Sequence, residues 1–188
     1  QAKIINAYAV CVDSFNHTRH REFIRPNICD PVDDYPKPRS KRKIVSVRES
    51  LSGETTREVM AYRALIAHAK DISERQRLTS FEKVKMAKCI AEQSLKFFEP
   101  SRHLFRALQK TCAMDEKSPE EAFFMESGVC GNFSGLAYNI AKQLGMKDKV
   151  FLTKKGVHIY IEFTELNNWY HAHPFNSQTS CDIIRFKN

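Results

Sequence analysis

The sequence predicts an α+β fold in which helices come first and an antiparallel sheet comes last. Two patterns predict it. Apolar residues recur at helical intervals between residues 54 and 113. After residue 145 they alternate with polar residues, which is typical of strands with one buried face. The chain has 188 residues, of which 42% are hydrophobic, so it is long enough to bury a core.

The first fifty residues differ in composition from the rest. Four of the seven prolines lie between residues 26 and 38, and a basic run follows at 37–43. Because proline donates no backbone hydrogen bond and favours extended chain, we expect a linker here. We therefore predict an N-terminal extension with a proline-rich basic linker, 1–50, and a folded domain, 51–188. Within the extension, residues 3–12 resemble a strand.

Helix starts are marked by capping patterns. Thr55 precedes Glu58 and Thr79 precedes Glu82 by three positions, the spacing of a capping box. Ser118, followed by proline, marks the start of a shorter helix because proline suits the first helical position.

Strands are expected near the C-terminus. The segments 149–153 and 157–163 alternate in polarity and are separated by a tight turn at Gly156. Two more segments, 169–173 and 181–186, are also predicted to be strands. This order of helices before strands is the basis for the fold class.

The charge and the apolar runs limit the function classes. Thirty basic residues exceed 22 acidic ones, which gives a net charge of +8. The longest apolar run falls far short of the about 20 residues that cross a bilayer, so no membrane span is predicted. The basic run 37–43 could bind nucleic acid, an anionic membrane surface or an import receptor. No aromatic residue interleaves with its charges, as base stacking requires, so a solvated linker is favoured over nucleic-acid binding.

The six cysteines stand far apart and form no Cys-x-x-Cys pair. A chain of this length does not need disulfides, and a zinc ribbon needs close pairs. We therefore expect reduced thiols and a reducing, cytosol-like compartment, while the even number of cysteines leaves a bridge open. Because the chain begins with Gln1, we expect a trimmed fragment whose upstream targeting segment would not be visible.

Cys130 is the candidate nucleophile. It opens an amphipathic segment, so its thiol is expected in the first turn of a helix. There the positive end of the helix dipole and unpaired amides lower a thiol pKa, and the same amides can stabilise an oxyanion. Gly128, Gly131 and Gly135 bracket the cysteine, and the last two are expected to let a sheet lie close. The alternative is that Cys130 is a small buried hydrophobe.

His158 is the candidate base and His173 the candidate residue that orients it. His158 lies on the polar side of an alternating strand, from which it could face the helix of Cys130. It would take the thiol proton and return it to the leaving group. His173 lies on the next predicted strand and could accept a hydrogen bond from the other imidazole nitrogen.

These segments resemble the transglutaminase-like branch of the papain-fold cysteine enzymes. Cys130, His158, Glu162, Trp169 and Pro174 match that pattern over residues 125–176, about a quarter of the chain. The matching sequences read ESGVCGNFSGLAYNIAKQLGM, GVHIYIEF and WYHAHPFN. The resemblance implies a papain-like core in which a catalytic helix packs on a C-terminal antiparallel sheet.

The resemblance also implies a function. Members are cysteine proteases, peptide:N-glycanases, transglutaminases and bacterial toxins or effectors that deamidate glutamine. By this resemblance the chain is a cysteine-dependent hydrolase or acyltransferase that acts on protein amides and needs no cofactor. The catalytic residues would be Cys130, His158 and His173. A small basic domain without calcium loops is more similar to the toxin and effector enzymes.

One position departs from the family pattern. The family has aspartate where this chain has His173. A neutral imidazole can orient His158 but adds no negative charge to stabilise an imidazolium. Asn176 or Glu162 are alternative third residues.

Two alternatives to a thiol enzyme remain open. The chain could be an inactive member of the fold that binds a protein or an acidic partner. His171 and His173 have the spacing of metal ligands on one strand face, and Cys181 could join them. No carboxylate or second histidine pair completes a recognisable site, so no metal is predicted.

Overall fold

The computed structural model describes residues 2–17, 28–34, 37, 40, 42–44, 56–97, 117–156, 158–173 and 183–187. Over these residues the protein is α+β, as predicted, with five α-helices and a six-stranded sheet. The helices are α1 (Ala2–Asn6), α2 (Arg57–Arg75), α3 (Ser80–Ser94), α4 (Pro119–Phe123) and α5 (Cys130–Ala141). The strands are β1 (Ile28–Val32), β2 (Lys43–Ile44), β3 (Lys96–Phe97), β4 (Ser127–Gly128), β5 (Val150–Lys155), β6 (His158–Glu165), β7 (Asn168–Ala172) and β8 (Ile183–Phe186).

Local capping signals place the helix starts. Thr79 and Glu82 form the predicted capping box at the start of α3. Ser118 caps α4 by accepting a hydrogen bond from the backbone of Glu121. The cap of α2 is Thr56, one residue later than predicted, while Thr55 lies outside the described residues.

The large sheet is mixed: its four C-terminal strands pair antiparallel, as predicted, but an N-terminal strand joins them in parallel. Its strand order is β1-β8-β7-β6-β5-β2. All neighbours are antiparallel except β1 and β8, which run parallel. The difference arises because β1 comes from the N-terminal region and adds to the edge of the C-terminal hairpins. A second, two-stranded sheet pairs β3 with β4.

The sheet has one apolar face, and α5 lies on it. Ile161 and Phe163 of β6 are buried in the core together with the apolar face of α5. This helix also packs against α3 and α4. Five residues of this helix are buried in that core, namely Phe133, Leu136, Ala137, Ile140 and Ala141. Of the helices that the structure describes, none is long and apolar enough to span a bilayer.

Residues 2–17 form part of the core instead of a strand. The segment predicted to be a strand is α1 followed by a π-helical segment, Ala7–Val12. Ala7, Val12 and Phe15 are buried in the core. The boundary at residue 50 stays a prediction, but β1, β2 and the helical segment show that described parts of 1–50 pack with the rest of the chain.

A disulfide between Cys11 and Cys89 ties the N-terminal helical segment to α3. Cys29 is disulfide-bonded as well. The expectation of reduced thiols is therefore wrong for these three cysteines, and the reducing compartment inferred from it loses its basis, because disulfides persist in oxidising surroundings. The sequence could not give the pairing because 78 residues separate the two partners.

We expect removal of this disulfide to destabilise the fold. The Cys11→Ala, Cys89→Ala double variant should lose about 2–4 kcal/mol of unfolding free energy, because the cross-link restricts the unfolded chain. Urea denaturation of the oxidised proteins measures this loss. An unchanged urea midpoint in the double variant would show that the bridge does not constrain the unfolded state.

Candidate active site

Cys130 is the first residue of α5, as the sequence predicts, and it carries a thiol. Its side chain is half-buried and lies beside β6, because the backbone of Ile159 hydrogen-bonds to it. One turn further along α5, the hydroxyl of Ser134 donates to the carbonyl oxygen of Ile159 over 2.9 Å. The start of α5 is therefore hydrogen-bonded to Ile159, the residue that follows His158.

The pKa of the Cys130 thiol is raised above its ordinary value, and burial is the main cause. Backbone hydrogen bonds from Ile159, Gly131 and Cys130 itself act in the opposite direction. The prediction of a lowered thiol pKa is therefore wrong. The amide groups are present, as predicted, but the free energy lost on removing a thiolate from water exceeds what they return.

The glycines around Cys130 allow close packing: Gly128 against the Asn132 side chain, and Gly131 and Gly135 against the start of α4. A Cβ on Gly128 would lie 2.9 Å from the Cβ of Asn132, whose side-chain oxygen accepts a hydrogen bond from the backbone of Val129. Gly131 and Gly135 line a small cleft with Ser118, Pro119 and Ala122 at the start of α4. Gly131 and Gly135 therefore face helix α4. The prediction that a sheet lies close to these two glycines is wrong.

His158 begins β6 and its ring lies on the face of the sheet opposite to α5. Successive side chains of a strand alternate between its two faces. Ile159 packs against the core, whereas the His158 ring stacks with Tyr160 at a centroid distance of 5.5 Å. Among the described residues, no hydrogen bond joins the Cys130 thiol to the His158 ring. The two residues are linked through the backbone of Ile159, which follows His158 and hydrogen-bonds to the Cys130 side chain.

Three histidines meet on this polar face. His171 lies opposite Glu162 in the antiparallel pairing of β6 with β7, and His173 follows β7 directly. Ring centroids are 6.2 Å apart for His158 and His171, 6.3 Å for His158 and His173, and 4.4 Å for His171 and His173. One nitrogen from each ring lies within 4.8 Å of the other two.

His171 is the central residue that the sequence did not identify as part of the catalytic group. It is fully buried, and its ring centroid lies 4.0 Å from that of Tyr160. Its alternation with His173 is visible in the sequence, but the strand register that aligns it with Glu162 is not. The structure therefore groups His171 with the predicted base and the predicted orienting residue, at nearly the same distance from His158 as His173.

The imidazoles of His158 and His171 are neutral near pH 7. Burial lowers the pKa of His158 below its ordinary value. Burial also holds the pKa of His171 well below its usual range, with further contributions from His173, His158, Arg42 and Lys88. A neutral His158 has a lone pair with which it can accept a proton.

Glu162 has a structural role on the same face. Its carboxylate accepts hydrogen bonds from the guanidinium of Arg42 and, over 3.2 Å, from the hydroxyl of Tyr160. The Arg42 guanidinium also lies 4.6 Å from the centroid of the Phe186 ring. Both charged side chains are buried. Arg42 is therefore not part of a solvated linker, although it lies in the basic run, and Glu162 is engaged by groups other than His158.

Several residues of the resemblance fall outside the described residues. These are Pro174 and Asn176, and Cys181, the possible third metal ligand, also lies outside the described residues. Trp169 is half-buried in β7, with its ring 5.4 Å from that of Phe151. Of the predicted triad, the structure brings His158 and His173 together and sets Cys130 next to the β6 backbone.

Comparison with known proteins returns no match: no family model fits the chain, and no curated protein or solved structure is significantly similar to it. The chemistry of the site must be argued from its own residues.

We expect loss of Glu162 to be costly because it leaves the buried Arg42 charge without compensation. Glu162→Ala should lower the unfolding free energy by about 3–5 kcal/mol, and the Arg42→Met, Glu162→Leu pair should recover most of that loss. Urea denaturation of the three proteins measures both effects. A double variant as unstable as Glu162→Ala would contradict the assignment of a charge-pairing role.

We also expect slow alkylation of Cys130 at neutral pH. Because burial raises its thiol pKa, iodoacetamide should label Cys130 more slowly than glutathione at pH 7, with a rate that rises only above the ordinary thiol pKa of about 8.5. Peptide mapping of the oxidised protein measures this rate. A fast rate at pH 6–7 that His158→Ala abolishes would instead indicate a thiolate–imidazolium pair.

Proposed function

We propose that this protein is a cysteine-dependent hydrolase or acyltransferase that acts on amide groups of proteins. Cys130 is the nucleophile, His158 the base, and His173 the residue that orients the base, with His171 packed against His173. The observation that carries the proposal is the position of the Cys130 thiol at the start of α5, among backbone N–H groups of Ile159 and Gly131.

Because the Cys130 thiol is protonated and the His158 imidazole is neutral, the site favours general-base catalysis. A protonated thiol and an uncharged imidazole must exchange a proton as the sulfur attacks the carbonyl carbon. His158 would accept that proton and return it to the leaving amine, and water or a second amine would then release the acyl group from the sulfur. The amides beside Cys130 would donate to the oxyanion as it forms.

The mechanism requires the His158 ring to turn toward Cys130. His158 is the first residue of β6 and is half-buried, and it directly precedes Ile159, whose backbone hydrogen-bonds to the Cys130 side chain. Catalytic hydrogen bonds are often long or absent before substrate binds. Substrate entry at this end of the sheet would be the event that brings sulfur and nitrogen together.

The second candidate is an inactive fold member that binds a protein partner. Two observations favour this candidate. The pKa of the Cys130 thiol is raised, and the His158 ring lies on the face of the sheet opposite to α5, so neither group activates the Cys130 sulfur. This candidate predicts equal behaviour of wild type and a Cys130 variant toward any protein substrate.

A comparison of product masses tests the enzyme directly. Candidate substrate proteins would be incubated with the wild type, Cys130→Ala and Cys130→Ser, and then analysed by mass spectrometry for deamidation, chain cleavage or cross-links. We expect the wild type to yield one of these products and both variants to lose it by more than about 1000-fold, since they lack the sulfur nucleophile. His17→Ala, at an exposed histidine near the N-terminus, is the matched control and should retain activity.

The result also separates the two candidates. The same products at the same rate from Cys130→Ala and the wild type would rule out thiol catalysis. Loss of product in His158→Ala but not in His17→Ala would support the assignment of the base.

A further inference from the structure

We propose that His158, His171 and His173 together bind a zinc ion. The sequence argued against a metal because it offered only the pair His171 and His173 with the distant Cys181. The fold supplies the missing ligand from a different strand. The metal site then consists of three imidazoles at the end of β6 and β7, on the face of the sheet opposite to α5.

The distances suit a zinc ion. One nitrogen from each ring lies within 4.8 Å of the other two. Zinc–nitrogen bonds of about 2.0–2.1 Å place the ligand atoms of a tetrahedral site about 3.3 Å apart. Side-chain rotations that move each ring nitrogen by about 1 Å would close the site, with little demand on the backbone.

The ligands stand on a rigid frame. Ile161 pairs with Ala172 and Glu162 with His171, so the two strands are in continuous antiparallel register up to the histidines. His171 is fully buried and would fix one side of the ion, whereas His158 and His173 are half-buried. Three protein ligands leave a fourth position for water or a substrate group, which is the pattern of catalytic zinc sites.

The chemistry of the ligands favours zinc over calcium or magnesium. Imidazole nitrogen suits zinc and its neighbours in the transition series, whereas hard cations need carboxylate and carbonyl oxygens. The nearby Arg42 charge is offset by Glu162 in the buried ion pair.

Zinc binding would also regulate the proposed thiol chemistry, a consequence that rests on the proposed function, although zinc binding itself does not. A metal ion on the His158 ring occupies the nitrogen lone pair that would otherwise accept the Cys130 proton. The two uses of His158 exclude each other. Zinc should therefore inhibit the thiol-dependent activity and chelation should restore it.

Calorimetric titration of the full, disulfide-intact chain with zinc tests the site. After removal of metal with a chelator, we expect one zinc ion per chain. The His158→Asn and His173→Asn variants should each weaken binding by at least about 100-fold, which is the upper range for loss of a group that merely supports a ligand. His17→Asn is the matched control and should bind zinc like the wild type. Cys130→Ser should also bind like the wild type, because the site uses nitrogen ligands only.

Cobalt serves as a second probe. Cobalt(II) in the same site should give the absorption of a tetrahedral nitrogen environment without a thiolate charge-transfer band. Because His158 and His173 are half-buried, their asparagine variants are expected to fold, and an unchanged urea midpoint verifies this.

The proposal is overturned if the wild type shows no saturable zinc binding, or if folded His158→Asn and His173→Asn bind zinc as the wild type does. A thiolate band with cobalt that Cys130→Ser removes would also overturn it. Zinc binding by a protein without thiol-dependent products would contradict the proposed function alone. Thiol-dependent products from a protein that does not bind zinc would contradict only this inference.

Discussion

The packing of α5 against β6 is the contact on which the candidate site depends. The helix buries its apolar face on Ile161 and Phe163, and Ser134 holds the Ile159 carbonyl oxygen at one helical turn from Cys130. Because the helix begins at Cys130, this packing sets the thiol against the β6 backbone. The same contact explains why the thiol is partly desolvated, since the sheet that positions it also shields it from water.

The sheet then separates two chemical environments. One face carries the core, into which α5 and α3 pack. The other carries Glu162, Tyr160 and the histidines, with Arg42 inserted as a buried counter-charge. A buried ion pair of this kind is expensive to desolvate and adds specificity more readily than stability.

Both proposals for the site draw on the position of His158 at the end of β6. Its ring lies among the histidines on one side of the sheet, and its backbone neighbour touches the thiol on the other. A single residue at such a boundary can serve a nucleophile on one side or a metal ion on the other. The low pKa of its imidazole is compatible with either role, because both require the neutral ring.

The sequence by itself determined the features that depend on neighbouring residues. The Thr79–Glu82 capping box, the Ser118 cap, the amphipathic helix that opens at Cys130 and the turn at Gly156 all follow from short-range geometry. The alternation in β6 correctly separated the polar side of His158 from the apolar side of Ile159. It did not show on which of those sides α5 would pack.

Only the tertiary structure decided the contacts between distant residues. The Cys11–Cys89 bridge spans 78 residues, and the Arg42–Glu162 pair spans 120. The parallel addition of β1 to β8 and the alignment of His171 with Glu162 are questions of strand register, which a one-residue shift would reverse. The tertiary structure also decides the direction in which the pKa of the Cys130 thiol is shifted. Helix position predicts a lowered value, but the depth of burial, which no local pattern encodes, raises it.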